Sequence, residues 1–371
     1  MERGAGRYPR VETRGVVRML RVRIGDREIG DGLPSLLVAA IGSNHDGSLP
    51  RALALVDAAA SAGAGAVRFQ SFRAATLLAR RWPRPGGGWQ TCEQYAQVER
   101  LELPADWHAP LRDRARQRGL LFLSTPYDES RAALLASLGV PAFRISCGDL
   151  THEPLLRAVG GYGRPVFLST GFATEDEVAQ GLAALERGAG APERRPVAVL
   201  VQCAVDPLAV AHGVDVRSVP ALRARFGTLV GWSDHAPGHV HALAAVALGA
   251  CVVEKHLTDD RRRPGAEHAS SLEPVDFAAM ASAIRLLEPG LGAGSLEPCG
   301  AALAARQRVR RGVYAARSLP AGTVLDEADL KVVRPALGAR PAALARLVGQ
   351  RLGRRLAVDE PLGDDECGEE R

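Results

Sequence analysis

The sequence Gly231-Trp-Ser-Asp-His235, followed one structural repeat later by Glu254-Lys-His256, decides how this chain folds. Each segment ends an apolar run, residues 228–231 for the first and 250–253 for the second, and such runs predict buried strands. The residues between them, 237–249, have the pattern of a helix, so the two strands are predicted to be parallel. Both histidines would then lie at the same end of neighbouring strands.

Two imidazoles in that position can bind one divalent ion if their ring nitrogens converge. The sequence therefore predicts His235 and His256 as metal ligands. The alternative is that both rings are only satisfied at the rim of a core, as a buried histidine often is. Composition favours a functional role for the motif over a purely structural one. Lys255 and Lys331 are the only lysines among the 47 Lys and Arg residues, and Lys255 lies in the motif. A compact ammonium is not equivalent to a guanidinium at close quarters, so Lys255 is predicted to take part in catalysis.

The overall composition is that of an ordinary globular protein of one or two domains. The chain has 371 residues, 46% hydrophobic and 24% charged, and its apolar runs are too short to cross a membrane. Its net charge of +5 comes from scattered arginines, and aromatic residues make up only 5%, which argues against nucleic-acid binding. Residues 1–10 lack the apolar segment of a signal peptide, and the six cysteines form no CxxC pair. We therefore expect a cytoplasmic protein with reduced thiols.

Eight apolar runs alternate with helical patterns, and polar residues follow the runs. This is the number that a TIM (β/α)8 barrel requires, and the active site of such a barrel lies where its strands end. Residues 16–29 alternate apolar and basic side chains around Gly25-Asp26 and predict an N-terminal β-hairpin that plugs or caps a surface. Residues 73–90, rich in Arg, Trp, Pro and Gly, are expected to form a long loop. The predicted strands are 36–41, 66–70, 120–124, 142–146, 165–169, 197–202, 228–231 and 250–253.

After the barrel the sequence pattern changes to short β-like runs separated by turns such as Pro320-Ala-Gly322. These runs predict a second, β-rich domain that is too small to have much core of its own. The predicted order is an extension and hairpin over 1–35, the barrel over 36–290, a linker over 291–308, the small domain over 309–362 and a frayed acidic tail over 363–371.

Nine segments of the chain match one family in residues and in order: Ala39-Ala-Ile-Gly-Ser-Asn-His45, Val67-Arg-Phe-Gln70, Leu123-Ser-Thr-Pro-Tyr127, Phe143-Arg-Ile-Ser-Cys-Gly-Asp149, Leu168-Ser-Thr-Gly171, the two histidine motifs, Gly265-Ala-Glu-His268, and residues 310–334 with Arg334-Pro335. Over residues 16–362 the chain thus resembles the N-acetylneuraminate (sialic acid) synthase family. The resemblance implies a TIM barrel joined to a C-terminal antifreeze-like (SAF) domain. It also implies a metal-dependent transferase that condenses phosphoenolpyruvate with an N-acylated hexosamine or related aldose, giving a sialic-acid-like 2-keto sugar acid.

The resemblance also implies roles for single residues. His235 and His256 match the metal ligands, with Mn²⁺ favoured over Mg²⁺ or Co²⁺, and the metal would polarise the aldehyde of the acceptor. Asp149 and Glu267 match two acidic positions near the aldose and the metal and are expected to act in catalysis. Five residues match groups that hold the phosphate and carboxylate of phosphoenolpyruvate, for which guanidinium forks and hydroxyls are suited: Arg68, Thr125, Arg144, Ser146 and Ser233.

Two further residues are expected to contact the acceptor sugar. Gln70 shares a strand face with Arg68 by the period of two. Arg334 matches an arginine that the antifreeze-like domain of one subunit places over the active site of its partner. The resemblance therefore implies a domain-swapped homodimer.

The chain departs from the family pattern at several of these positions. Ala40 stands where the family has a Glu that contacts the aldose hydroxyls, and Arg68 and Arg144 stand where it usually has Lys. After the sixth strand, Ala204 and Asp206 replace residues near the phosphate, and an Asp there is unfavourable by like charge unless it turns away or binds metal. The acceptor sugar therefore stays open. A catalytically silent homologue that binds an anionic sugar or a partner is the alternative.

Overall fold

The computed structural model describes residues 19–204, 214–265, 267–292, 294, 296–298 and 300–368. The chain divides into two compact units, Met1–Leu291 and Gly292–Arg371. Asp206 and the first residues of the predicted hairpin lie outside the described residues. No helix in the described part of the chain is long and apolar enough to span a membrane.

The first unit is built around eight parallel strands, as predicted. Hydrogen-bonded ladders join them in the order β3-β2-β1-β8-β7-β6-β5-β4, and β3 also contacts β4, although no ladder joins the described residues of that pair. The result is a nearly closed barrel. In chain order, β1 to β8 are Leu36–Gly42, Ala66–Ser71, Leu121–Pro126, Phe143–Ile145, Val166–Ser169, Ala198–Ala204, Leu229–Asp234 and Val252–His256.

A helix follows each strand, and local sequence signals set several of its ends. Asp128 caps the third of these helices, and Thr174 forms a capping box with Glu177 at the start of the fifth. The seventh begins at Val240, later than predicted, because Gly238 adopts a positive φ of 71° in the turn before it. In chain order, α1 to α8 are Leu49–Ser61, His108–Gln117, Glu129–Ser137, Glu153–Gly161, Glu175–Ala189, Ser218–Phe226, Val240–Ala247 and Pro274–Leu287.

The alternation of side chains along each strand divides the barrel between two cores. One face, with residues such as Val67 and Phe69, packs against the helices. The other face fills the lumen, where Val38 and Leu123 pack together with apolar residues of the N-terminal hairpin. The hairpin pairs Arg21–Ile24 with Arg27–Gly30, so it plugs the barrel as expected and leaves the polar strand ends free.

The segment between β2 and α2 differs from its prediction as a long loop. Within the predicted loop lie the helix Ala74–Leu77 and a small antiparallel hairpin of Arg81–Pro83 and Trp89–Thr91, and the helix Glu93–Arg100 follows them. Three successive glycines, residues 86–88, have positive φ and form the hairpin turn. Their composition is also that of a loop, which is why the sequence pattern did not reveal the two short strands.

The second unit has a hydrophobic core of its own, which corrects the expectation drawn from its size. Gly312–Ala315 pairs with Leu330–Val333, and Arg351–Leu352 pairs with Cys367–Gly368, so part of the predicted frayed tail is ordered in a ladder. The predicted linker contains the helix Gly300–Val309. Ten buried apolar side chains of the described residues form this core, and half of them come from segments outside strands and helices, which sequence periodicity does not detect.

Candidate active site at the carboxyl end of the barrel

The polar residues at the carboxyl end of the barrel lie on the lumen face of their strands. On β8, Glu254 and His256 share that face, and Glu254 contacts Ser233 of β7. The ladder register places Ala40 of β1 opposite His256 on one side and opposite Arg68 of β2 on the other. The structure therefore brings together most of the residues that the sequence predicted for the site.

The Glu254 carboxylate contacts three of the residues predicted to bind phosphoenolpyruvate. Its Oε1 atom accepts hydrogen bonds from Arg144 Nη2 at 3.0 Å and from Ser233 Oγ at 2.9 Å. Its Oε2 atom lies 3.0 Å from Arg68 Nε, an ion-pair distance, although that N–H does not have hydrogen-bond geometry. Sequence reasoning gave Glu254 no role. Its alternation with His256 on one strand is the signal that could have found it.

The charges in this cluster do not cancel. Burial raises the pKa of Glu254, but the guanidinium groups of Arg144 and Arg68 lower it more, so the net pKa lies well below its usual range. Burial alone would lower the pKa of Arg144, yet Glu254 raises it above its usual value. Two guanidinium groups and one carboxylate leave this buried cluster with a net positive charge. Binding of an anion there is electrostatically favourable.

Besides Arg68 Nε, three buried polar atoms on the lumen side have no hydrogen-bond partner in the ranges that the structure describes. They are Thr125 Oγ1, Arg144 Nε and His256 Nδ1, and their residues are 1%, 6% and 4% exposed. Buried polar atoms are nearly always paired in folded proteins. Three unpaired atoms at one end of a barrel therefore indicate a binding site for a polar ligand.

The two histidines predicted as metal ligands face each other. Their ring centroids are 5.1 Å apart, and their planes are tilted by 43°. Burial lowers the pKa of His256 to about 4, although the nearby Glu267 carboxylate raises it, so the ring is neutral at pH 7. A neutral imidazole is the form that binds a metal. Among the described residues, however, no three His, Cys, Asp or Glu side chains are grouped closely enough to hold an ion by themselves.

Glu267 reaches the same place from the loop after β8. Its Oε2 atom accepts hydrogen bonds from the backbone N–H and the hydroxyl of Ser43, both at 2.9 Å, and its Oε1 atom accepts one from Gln70 Nε2 at 3.1 Å. Burial raises its pKa, but His256 and Ser43 lower it to about 2. Gly42, with φ 55°, is needed here because a Cβ atom would collide with the Glu267 carboxylate.

Asp149 lies in the short 3-10 helix Cys147–Asp149 that follows β4. Burial raises its pKa to about 6, although His152 and Arg144 lower it. A carboxyl group with a pKa near neutrality can give and take a proton during a reaction, so this environment suits acid–base catalysis.

Two cysteines contact each other beside Arg144, and the sequence did not predict this pair. A hydrogen bond between Cys147 and Cys203 lowers the pKa of Cys203 and raises that of Cys147. Cys147 begins the 3-10 helix that follows β4, the strand that carries Arg144. For Ser146 the structure gives no such contact, and its binding of phosphoenolpyruvate stays a prediction.

Lys255 points away from the lumen. Its side chain is fully buried, with Nζ 3.2 Å from Asp234 Oδ2 and a hydrogen bond to the Ala236 carbonyl. These are the contacts of a structural ion pair between β7 and β8, and they give no support to a catalytic role. Arg334 is exposed on the second unit, and its contact with an acceptor stays a prediction.

Fold and site together define a class of protein: an eight-stranded α/β barrel with a buried cationic cluster and two facing histidines at its carboxyl end, followed by a small β-rich domain. The chain belongs to the NeuB family, whose model matches residues 55–295, and the SAF domain model matches residues 310–366. The family and the fold expected from the sequence are confirmed.

Relatives and solved structures agree with this placement. The chain is 32% identical to N,N'-diacetyllegionaminic acid synthase of Legionella pneumophila, over 91% of this chain and 96% of that protein. It is 29% identical to the human N-acetylneuraminate-9-phosphate synthase, over 88% and 90% of the two chains. The N-acetylneuraminic acid synthetase of Leptospira borgpetersenii, solved in complex with citrate, is 27% identical and has a TM-score of 0.69, covering 76% of this chain and 94% of that one.

Proposed function

We propose that this protein condenses phosphoenolpyruvate with an N-acylated hexosamine or a related aldose, giving a sialic-acid-like 2-keto sugar acid and phosphate. The observation that carries the proposal is the buried cluster of Arg68, Arg144 and Glu254, with its net positive charge and its unpaired neighbouring donors. A phosphate and a carboxylate on one small molecule would complement that cluster. Relatives named as synthases of legionaminic and neuraminic acids add support.

In the proposed reaction, C3 of phosphoenolpyruvate bonds to the aldehyde carbon, water adds to C2, and the C2–O bond to phosphate breaks. Arg144 and Ser233 are proposed to bind the phosphate, with Arg68 and Thr125 on the remaining oxygens. Asp149, with its pKa of about 6, is proposed to donate the proton that the aldehyde oxygen takes up as it becomes a hydroxyl. The proton lost by the added water restores Asp149.

A divalent metal, Mn²⁺ before Mg²⁺ or Co²⁺, is proposed to bind at His235 and His256. The unpaired Nδ1 atom of His256 and the facing ring of His235 suit it, and a Glu267 carboxylate oxygen lies 3.7 Å from that nitrogen. Because the described residues hold no group of three such side chains, oxygens of the substrate or of water would have to complete the coordination. When bound, the metal would polarise the aldehyde carbonyl.

We further propose a cytoplasmic location and a homodimer in which Arg334 of one chain contacts the acceptor in the other. The cysteines in the described ranges are all free, which supports a reducing compartment. Gln70, hydrogen-bonded to Glu267 at the site, is proposed as the second contact to the acceptor.

The test is phosphate release from phosphoenolpyruvate across a panel of aldoses, with and without Mn²⁺. Arg144→Ala should weaken phosphoenolpyruvate binding about ten- to a hundredfold, because a charge-assisted hydrogen bond contributes about 1.5–3 kcal/mol. Arg157→Ala removes an exposed arginine of α4 and should leave turnover unchanged. Binding without phosphate release from any aldose would favour the catalytically silent homologue, and absence of binding would refute both readings.

A further inference from the structure

The loop between β8 and α8, residues 257–273, carries Glu267 to His256. Its only regular element among the described residues is the short 3-10 helix His268–Ser270. A backbone bridge between Leu257 and Leu272 joins the two ends of the loop. Between these ends, side-chain hydrogen bonds from the β1–α1 loop, from Gln70 of β2 and from within the loop itself hold the part that carries Glu267.

His268 is bonded through both of its ring nitrogens. Nε2 lies 3.0 Å from Asp46 Oδ1, and Nδ1 lies 2.7 Å from Thr258 Oγ1. The residue is 1% exposed, and Gly265 packs directly on the ring, where a Cβ atom would lie only 2.7 Å from its Cδ2 atom. The imidazole is thus a fixed bridge between three segments of the barrel end.

Asp46 holds an unfavourable backbone conformation at this contact. Its φ of 48° is positive, which among non-glycine residues of the described chain recurs only at Asp359. Its carboxylate is also paired with Arg51 of α1. Backbone strain of this kind persists where the surroundings fix it, and it is concentrated at functional sites.

A second tether fixes the same loop. Asn44 Nδ2 donates hydrogen bonds to the Leu257 carbonyl and to Ser271 Oγ, both at 2.9 Å. Ser271 Oγ in turn donates to the Glu267 carbonyl at 2.6 Å. With Ser43 bonded to the carboxylate, the β1–α1 loop holds both the backbone and the side chain of Glu267.

We infer that His268 is a positioning residue, which is held between Asp46 and Thr258 and keeps the loop placed so that the Glu267 carboxylate stays beside His256. The inference rests on the proposed function and adds a residue to it. Because both ring nitrogens are occupied, His268 acts through Glu267 and not on the substrate.

A double-mutant cycle tests this action. His268→Ala should lower kcat for phosphate release by about a hundredfold, the effect of misplacing a group by about 1 Å, while KM for phosphoenolpyruvate changes little. Since the loss passes through Glu267, the double variant with Glu267→Gln should be no slower than Glu267→Gln alone. His268→Gln, which keeps an N–H toward Asp46, should recover part of the rate, and His241→Ala on α7 should match the parent. Losses that multiply in the double variant would overturn the inference.

A second measurement does not depend on activity. Trypsin should cleave after Arg261 and Arg262 of this loop faster in His268→Ala than in the parent or His241→Ala, and at a nearly normal rate in His268→Gln. If no aldose supports phosphate release, the proposed function fails, and cleavage still decides the inference. An unchanged cleavage rate in His268→Ala would then refute it. Should His268→Ala not fold, His268→Asn, which keeps only the side toward Thr258, takes its place.

Discussion

Replacing Glu254 by glutamine should destabilise the ligand-free protein and strengthen its response to phosphate. In the parent, one carboxylate, 5% exposed, compensates the guanidinium groups of Arg68 and Arg144. Glutamine has nearly the same shape but carries no charge. Two buried cations then have no counter-ion, and an added dianion becomes their best partner.

The size of the effect can be worked from the contacts. Unit charges about 4 Å apart attract by about 4 kcal/mol at an effective dielectric constant of about 20, before the cost of desolvation. Removing one partner of a buried pair costs about 3–5 kcal/mol in practice. The amide oxygen of glutamine can still accept a hydrogen bond from Ser233, so we expect the lower end, about 3 kcal/mol.

Urea unfolding followed by tryptophan fluorescence measures this loss, because Trp232 on β7 is fully buried next to the cluster. Inorganic phosphate at about a hundred times its Kd adds about 2.7 kcal/mol to any protein that binds it only when folded. At a fixed phosphate concentration, Glu254→Gln should gain more than the parent. Glu153→Gln is the matched control, since Glu153 also bridges two arginines but is exposed, and it should change little.

The difference in stability between the parent and Glu254→Gln should also depend on pH in a predictable direction. The folded-state pKa of Glu254 lies below its ordinary value of 4.5. Its contribution is therefore fully present above pH 4.5 and is lost as the pH falls through the lower, folded-state value. The stability gap between parent and variant should narrow in that range. A variant as stable as the parent at pH 7, or one that gains less from phosphate, would refute the reasoning.

Three further predictions test the proposed metal site, the buried histidine His108 and the proposed homodimer. His235→Ala or His256→Ala should lower Mn²⁺ occupancy, measured by elemental analysis after dialysis, well below one per chain, and full occupancy in both variants would remove the metal site. Burial lowers the pKa of His108 from 6.5 to about 4, so this residue should cost about 3 kcal/mol of stability as the pH falls through that interval, and His108→Asn should lose about that much less than the parent in urea titrations. Mixing Arg334→Ala chains with His235→Ala chains, each inactive alone, should restore part of the activity, whereas demonstrated subunit exchange without activity would contradict the shared site.

Much of the fold could be predicted because it follows from local patterns. Each barrel strand is an apolar run, and each helix has a period near 3.6 and recognisable caps, as at Asp128 and Thr174. The core of the second unit and the hairpin with Trp82 and Trp89 were not predicted, because they depend on turns and on contacts between distant segments.

Residues of the candidate site could be predicted where they lie on a strand, because side chains alternate along it. The positions of site residues that follow the end of a strand could not be predicted in this way. Glu254 and His256 are two residues apart on one strand, so the sequence alone predicts that both side chains point into the lumen. After β4 the chain leaves that period for the 3-10 helix Cys147–Asp149, so strand alternation does not predict where the side chains of this helix lie. Lys255 shows a different limit. Composition singled out this lysine and predicted a catalytic role, whereas the contact visible in the structure is a buried ion pair with Asp234.

Two departures from the family pattern that look independent in the sequence are parts of one arrangement in the structure. Arg68 lies on β2 and Glu254 on β8, and β1 runs between those strands with Ala40 in register with Arg68 on one side and with His256 on the other. The guanidinium of Arg68 therefore crosses the face of β1 to reach Glu254 at 3.0 Å and His256 Nε2 at 3.4 Å. A methyl group at position 40 leaves room for that crossing, whereas a carboxylate there would occupy the space and compete with Glu254 for the same cation. The small residue at position 40 thus accommodates the guanidinium group of Arg68.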